Sequence, residues 1–378
     1  MLESSEYRLS ESAAKAQTRS WWVAQTHHVD HFEKSGFPVR PAYFFEIGQL
    51  LDTMQENRFP LFQNELAGFS EADLEMLIAA LTQSVEFQLV HFPRRAPILP
   101  LSTMASSLAL YRKITGACAE PAALEVGPGC GYLSFFLAQD ARWKEYSQAE
   151  AAESFYILQN RVNSYCFGSG FLDLAHQFER CDYSFTSRSD FEQGASLDAA
   201  DLRRLKSIHY PWWTLGLLHD KTSHYDVVTS NANLNEFSRP ALRDYLSIFR
   251  SVLKPNGYFI VQCTGLTAHG SLEDLFDHLF QYGFAPIFSV LAGKVDQNSK
   301  AGRLVFEGKS KEFALNNIVM VPEGHPLFAA NHHRENFKNG FACDADILKR
   351  IYCDEAPRKR VSESDVRNEV ANALANRR

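Results

Sequence analysis

The chain has 378 residues, of which 45% are apolar and 22% are charged, with a formal net charge of −7. A chain of this length and composition can bury a large core, and we expect one large domain with a smaller accessory region. The net negative charge disfavours a broad nucleic-acid-binding surface, so nucleic acid is not an expected substrate.

The N-terminal sequence MLESSEYRLS has neither the basic nor the apolar segment of a secretory signal. No later stretch is long and apolar enough to span a membrane. We therefore expect a cytoplasmic protein without membrane contact. The seven cysteines form no C-x-x-C pair, which disfavours a zinc site or a disulfide framework.

Residues 1–118 are predicted to form a helical cap, because apolar residues recur three and four positions apart in several segments. Ser70, with Asp73 three residues later, is typical of a helix N-terminus. Prolines from Pro93 to Pro100 then separate a last predicted helix, Leu101 to Thr115, from the preceding one.

The predicted cap is rich in aromatic residues and histidines, including Trp22, His28 and Tyr43. This composition suits a lid that lines an acceptor pocket and excludes water, and it suits a packed helical core equally well. His27 and His31 share a helix face, but no spaced third ligand is evident, so we predict no metal site.

Residues 122–138 read AALEVGPGCGYLSFFLA, which predicts a strand, a tight turn and a helix. Glycine suits such a turn because it tolerates positive φ and lets a ligand approach the backbone closely. An ordinary strand–turn–helix junction in another α/β protein would carry the same pattern.

The pattern E-x-G-x-G-x-G differs from the dinucleotide fingerprint G-x-G-x-x-G, because an acidic residue precedes the first glycine. A carboxylate there favours a cationic ligand and repels a pyrophosphate. In these residues the chain resembles the class I S-adenosylmethionine-dependent methyltransferases. The resemblance implies S-adenosylmethionine as cofactor, bound by Glu125, Gly127, Pro128, Gly129 and Gly131.

A weak second strand, Lys144 to Glu150, also ends in an acidic residue. The resemblance implies that an acid at this position accepts hydrogen bonds from both ribose hydroxyls, which requires two acceptor oxygens. Glu150 is our candidate for this role and Glu153 is its rival. Both also suit the start of a solvated helix.

Residues 168–201 are predicted to be an insertion, followed by a third strand from Leu205 to Tyr210. Ligands bind at the carboxyl ends of strands in open α/β sheets. His209 near this end is therefore our first candidate for a general base, since imidazole titrates near neutrality. The adjoining Trp212 and Trp213 either line a ligand-binding pocket or form a buried aromatic cluster.

The fourth predicted strand, Tyr225 to Ser230, leads into Asn231, which we add to the cofactor-binding residues. Family members that methylate exocyclic amines of bases carry an NPPY-like tetrapeptide here, and the sequence SNAN counts against that reaction. Glu236 follows as the second candidate base. The sequence LKPNG from Leu253 resembles the family's LKPGG turn before strand five, with Asn256 replacing a glycine.

Two apolar runs, Phe284 to Leu291 and Arg303 to Glu307, are predicted to pair antiparallel. A nicotinamide-binding domain would continue with parallel crossovers instead. We therefore predict a Rossmann-like class I methyltransferase sheet, α/β and mostly parallel with an antiparallel last strand, in residues 119–312. Residues 313–378 are predicted to be an extension, in which His332 either reaches the site or lies in a surface loop.

The predicted function is methyl transfer to a small-molecule acceptor, with a sugar-like or other metabolite hydroxyl as the preferred acceptor. The motifs of strands four and five, with the PWW segment, weakly resemble those of sugar O-methyltransferases. Two alternatives are a Rossmann-type nicotinamide or nucleotide-sugar enzyme and a catalytically silent cofactor-binding partner subunit.

Overall fold

The computed structural model describes residues 2–17, 39–53, 58–175, 205–262, 272–290, 317–337, 345–352 and 356–377. The helices are α1 (Ser4–Gln17), α2 (Phe44–Thr53), α3 (Phe59–Glu65), α4 (Glu71–His91), α5 (Leu101–Ala117), α6 (Leu133–Leu137), α7 (Glu153–Phe167), α8 (Arg239–Val252), α9 (Leu272–Gln281), α10 (Phe328–Asn331), α11 (Ala345–Tyr352) and α12 (Glu363–Ala375). The strands are β1 (Ala122–Val126), β2 (Glu145–Glu150), β3 (Phe171–Asp173), β4 (Ser207–Pro211), β5 (Tyr225–Thr229), β6 (Leu253–Val261), β7 (Phe284–Val290) and β8 (Asn317–Pro322). Short 3-10 helices cover Gly168–Gly170, Trp212–Lys221 and Arg334–Phe337.

The described strands form one sheet in the order β3-β4-β2-β1-β5-β6-β8-β7. Neighbours from β3 to β6 pair in parallel, whereas β8 runs antiparallel to both β6 and β7. The five residues of β1, at the centre, are all buried, as expected of a strand covered on both faces. The predicted sheet, Rossmann-like and mostly parallel with an antiparallel last strand, is confirmed, since β8 is the last described strand along the chain.

The reversed strand β8 lies outside the domain limits predicted from the sequence. The run Arg303 to Glu307, predicted for this role, is outside the described residues. Instead, the apolar run Asn317–Pro322, which we assigned to the extension, is inserted between β6 and β7. All six of its residues are buried, as expected of an interior strand whose sheet is covered on both faces. The limit at residue 312 therefore divides the sheet.

The limit at residue 118 is also crossed by buried contacts. Lys113 of α5 forms an ion pair with Glu65 of α3, and its Nζ donates to Gln262 Oε1, just after β6, at 2.6 Å. At Gly116 an added Cβ would lie 2.2 Å from the Arg350 carbonyl oxygen of α11, so the tail also packs closely on α5. Helix α5 thus joins the cap, the sheet and the tail.

Helix α1 is held by the aromatic segment that follows β4. The Tyr7 ring contacts Trp213 with ring centroids 4.8 Å apart, and Trp212 Nε1 donates to Glu11 at 3.4 Å. Both tryptophans are buried. Of our two interpretations of this segment, the structure favours the buried cluster, which anchors α1.

Several predicted features lie elsewhere or outside the described residues. Trp22, His27, His28 and His31 are not among the described residues. The His332 ring stacks on Phe280 of α9 with centroids 4.2 Å apart, so this part of the tail packs on α9. In the described part of the chain, no helix has the length and apolar character needed to cross a membrane.

Candidate cofactor site

The glycine turn after β1 has the predicted left-handed conformation. Gly127, Gly129 and Gly131 have φ values of 69°, 58° and 73°, which L side chains rarely adopt. The turn leads into α6, which has only five residues. A ligand at this turn would therefore meet mainly the glycine backbone.

Asn233, in the loop after β5, holds the glycine turn in place through hydrogen bonds. Its Nδ2 donates to the carbonyl oxygens of Val126 at 3.1 Å and Gly127 at 3.0 Å, and also to that of Asn231. An added Cβ on Gly127 would lie only 2.5 Å from Asn233 Nδ2. We did not identify Asn233 from the sequence. Its position two residues after Asn231, past a strand end, was the available signal.

Two backbone N–H groups of the glycine turn remain available to a ligand. The Gly127 amide donates to the Ala149 carbonyl at 2.9 Å, and the Gly131 amide donates to that of Pro128 at 3.0 Å. The amides of Gly129 and Cys130 have no partner within the described ranges. A half-buried turn whose amides lack partners among the described residues suits a ligand that carries acceptor groups.

Glu150 lies at the carboxyl end of β2 and is 7% exposed. Its Oε1 accepts from the amides of Ala151 at 2.7 Å and Ala152 at 2.9 Å, and its Oε2 accepts from Gln159 Nε2 at 3.0 Å. A carboxylate offers about four acceptor positions, so one remains for a ribose hydroxyl. Burial raises the pKa of Glu150 above its usual range, although these bonds oppose the shift.

Glu153, the rival candidate, is engaged elsewhere. Its carboxylate accepts from Arg8 Nε at 2.9 Å and from Arg40 Nη1 at 3.0 Å. The Ser154 amide next to it donates to the Val39 carbonyl at 3.1 Å. Glu153 therefore anchors the N-terminal segment to α7, and Glu150 is the better ribose candidate.

Unsatisfied polar atoms lie at the end of β5, beside the glycine turn. Thr229 pairs with Glu125 across the β1–β5 ladder, so Asn231 follows at the level of the turn. In the described structure, the side-chain oxygens of Thr229, Ser230 and Asn231 are buried without a hydrogen-bond partner. Ala232 has φ of 61°, a left-handed conformation that is strained for alanine. Buried orphan oxygens next to a strained residue fit a ligand that donates hydrogen bonds here.

Glu125 is buried in β1, where its Oε2 accepts a hydrogen bond from the Tyr146 hydroxyl. Burial raises the pKa of Glu125 to about 7, although the tyrosine bond opposes the shift. The carboxyl is thus poised between its two protonation states near neutral pH. Its predicted contact with a cationic ligand stays a prediction.

The raised pKa of Glu125 predicts a pH effect on stability. The folded state prefers the neutral carboxyl, so this contribution is present below the ordinary pKa of 4.5 and is lost as pH rises through about 7. Glu125→Gln should remove it, so the variant should gain stability relative to the wild type from about pH 5 to about pH 8. Urea unfolding of both proteins at the two pH values measures this gain. A constant difference between them would contradict the assignment.

His209 does not lie where we predicted. It pairs with Gln148 inside the sheet, two residues before the level of Glu150, and its side chain is fully buried. The ring stacks on Tyr156 with centroids 3.8 Å apart, and burial holds its pKa well below the usual value. Because an enclosed imidazole of low basicity is poorly suited to remove a proton from an acceptor, the structure does not support His209 as the base.

Glu236, the second candidate base, lies in the loop after β5 and is 8% exposed. Its amide donates to the Asn233 carbonyl at 2.8 Å, so it belongs to the loop that locks the glycine turn. In the described residues, no group of histidine, cysteine, aspartate and glutamate side chains is arranged to hold a metal ion.

The N-terminal segment, through α2, also contacts the glycine turn. Cys130 Sγ lies 3.9 Å from the Leu50 carbonyl oxygen of α2, and α2 packs against α7. Leu50 and Leu51 are buried. Part of the predicted cap thus contacts the glycine turn.

No protein-family model matches the sequence, and no curated protein matches it either. Solved structures with similarity to this chain include the cyclase SpnF, at 16% identity and a TM-score of 0.30, over 51% of this chain and 62% of that one. A TehB-like SAM-dependent methyltransferase from Corynebacterium glutamicum aligns at 9% identity and a TM-score of 0.31, over 56% and 87%. The 1,6-didemethyltoxoflavin-N1-methyltransferase of Burkholderia thailandensis, with bound S-adenosylhomocysteine, aligns at 14% identity and a TM-score of 0.32, over 65% and 88%.

Similarities of this size do not assign a reaction, so function depends on this chain's own residues. The strand order places β1 between β2 and β5, with β8 reversed between β6 and β7. The glycine turn extends from the carboxyl end of β1, where Glu150 and Asn231 flank it. This arrangement is a Rossmann-like, mostly parallel sheet with one reversed strand, and the glycine turn lies at the carboxyl ends of its central strands.

Proposed function

We propose that the chain is an S-adenosylmethionine-dependent methyltransferase that acts on a small-molecule acceptor, with a hydroxyl oxygen as the preferred acceptor atom. The observation that carries the proposal is that β1, β2 and β5 end side by side at the carboxyl-terminal end of the sheet. There the left-handed glycine turn lies between the Glu150 carboxylate and the unpartnered Asn231 oxygen.

The residues at these strand ends fit the cofactor. Gly127, Pro128, Gly129 and Gly131 would face it with backbone atoms, since the three glycines have no side chain to obstruct a close approach. Glu150 would accept from a ribose hydroxyl, and Asn231 Oδ1 would accept from a second donor. When bound, S-adenosylmethionine supplies an activated methyl group on a positively charged sulfur.

Two features favour this cofactor over a nicotinamide dinucleotide. A dinucleotide pyrophosphate binds at the N-terminus of a helix, and α6 has only five residues to provide the dipole. The buried carboxyl of Glu125 precedes the turn, where a carboxylate repels a pyrophosphate and attracts a cation. Both features suit a cofactor with a positive centre and no phosphate.

A hydroxyl acceptor gains from a base that takes its proton as the methyl group is transferred. Glu236 is the candidate that we retain, because it lies in the loop that follows β5 at the ligand-binding edge of the sheet. Positioning of acceptor and methyl group supplies most of the remaining acceleration. Segment 39–53, through its contact with the glycine turn, would help to exclude water.

Methyl transfer itself tests the proposal against a catalytically silent binding subunit. The protein is incubated with S-adenosylmethionine labelled in the methyl group and with a panel of small hydroxyl and amine compounds. We expect label to appear in a hydroxyl compound. A protein that binds the cofactor but labels no acceptor would support the silent-subunit alternative.

The variant Glu236→Gln distinguishes a role of Glu236 as general base from a role in cofactor binding. We expect kcat to fall about 100-fold, because general-base catalysis typically contributes a factor of that order, while the Kd for S-adenosylhomocysteine stays unchanged. Steady-state kinetics and calorimetric titration give the two values. Equal losses in kcat and cofactor affinity would instead assign Glu236 to cofactor binding.

A further inference from the structure

Gln159, on the inner face of α7, joins the two halves of the cofactor site. Its Nε2 donates to the Gly129 carbonyl at 2.7 Å and to Glu150 Oε2 at 3.0 Å. Gln159 is fully buried. One amide nitrogen therefore uses both of its hydrogens to tie the glycine turn to the acidic end of β2.

His209 fixes which way this amide faces. Its Nε2 lies 2.9 Å from Gln159 Oε1, which can only accept, so the proton must be on Nε2. If the amide turned over, its oxygen would face the Gly129 carbonyl and the Glu150 carboxylate, which are both acceptors. The imidazole is itself held by its stack on Tyr156. The observed orientation is thus the one that satisfies all four groups.

We infer that Gln159 is a positioning residue for cofactor binding, and that His209 acts through it by fixing the orientation of its amide. The inference rests on the proposed function, since the ligand concerned is the ribose of the cofactor. Glu150 would otherwise be held at Oε1 alone, by two backbone amides. With Gln159 in place, Oε2 is fixed at a set distance from the glycine turn, so both surfaces are arranged before the ligand arrives.

The test is a calorimetric titration with S-adenosylhomocysteine across pH, comparing the wild type with Gln159→Glu. At about pH 8, the new carboxylate faces two acceptors, and we expect the affinity to fall at least about 10-fold, on the scale of one lost charge-assisted bond. As pH falls towards 6, the new carboxyl becomes protonated and can donate to Glu150, so the affinity of the variant should recover. The wild type should show no such recovery as the pH falls.

Asn163→Asp is the matched control. Asn163 lies one helical turn further along α7 and is also fully buried, but its amide bonds to Gln148 at 2.7 Å, away from Glu150. This variant should lose stability without any recovery of affinity at low pH. The same pH response in both variants would overturn the inference.

A second pair of variants tests the role of His209. His209→Phe keeps an aromatic ring against Tyr156 but removes the donor, and we expect about a fivefold loss of affinity, on the scale of one neutral hydrogen bond. His209→Gln, which retains a donor, should recover part of that loss. If neither Gln159→Glu nor His209→Phe changes the Kd, the inference is wrong while the proposed function stands. A wild type that binds no S-adenosylhomocysteine would instead refute the proposed function.

Discussion

Gly127→Ala is expected to abolish detectable binding of S-adenosylhomocysteine. Gly127 has φ of 69°, where an added Cβ costs roughly 1–2 kcal/mol. The Cβ would also lie 2.5 Å from Asn233 Nδ2, whose hydrogen bonds hold the turn. Since Asn233 must move or the turn must shift, the backbone that faces the cofactor loses its arrangement. Calorimetric titration measures the loss, and circular dichroism checks that the fold persists.

Gly168→Ala is the control for left-handed strain alone. Gly168 has φ of 52° but nothing within 4 Å of an added Cβ, and it lies at the far end of α7. Both variants should lose stability, and only Gly127→Ala should lose the cofactor. Unchanged affinity in Gly127→Ala would remove the glycine turn from the site.

Glu150→Gln and Glu153→Gln form a pair with opposite expected effects. Glu150→Gln should weaken cofactor binding about 10-fold to 100-fold, because a charge-assisted hydrogen bond contributes about 1.5–3 kcal/mol. Glu153→Gln should leave the Kd unchanged and lower the free energy of unfolding by about 1–3 kcal/mol, because it weakens the pairing with Arg8 and Arg40.

Titration with S-adenosylhomocysteine and urea unfolding of both variants separate the two roles. If Glu153→Gln loses the cofactor while Glu150→Gln binds normally, the ribose residue has been assigned to the wrong carboxylate. Glu150 would then serve only to satisfy the amides of Ala151 and Ala152.

Features that depend on a few neighbouring residues could be predicted from the sequence. The helix N-terminus at Ser70 carries the capping box that Asp73 indicates, with both reciprocal hydrogen bonds present. Strand β2 ends at Glu150 as expected, and the three glycines after β1 adopt positive φ. Local hydrogen bonding and glycine's conformational freedom decide these features, and both can be read from the sequence.

Features that depend on partners distant in the sequence could not be predicted in this way. Asn233 acts on carbonyl groups 106 and 107 residues earlier in the chain. Whether His209 lies at a strand end or inside the sheet depends on its register with Gln148, which no local pattern specifies. The same holds for β8, whose apolar sequence fits a buried strand but does not reveal that it enters between β6 and β7.

The role of the cap also depends on such contacts. Deleting residues 1–118 would remove Lys113 and the rest of α5, which packs against the sheet and the tail. Truncation is therefore expected to unfold the protein rather than to leave a bare cofactor domain. Single substitutions are the suitable tests of the described part of the cap.

Calorimetric titration of the wild-type protein with S-adenosylhomocysteine and, separately, with NAD tests the central claim most directly. We predict saturable binding of S-adenosylhomocysteine at one site, lost in Gly127→Ala and retained in Gly168→Ala, and no heat of binding with NAD. Binding of NAD without S-adenosylhomocysteine would contradict the proposed cofactor and place the chain with the nicotinamide-binding proteins.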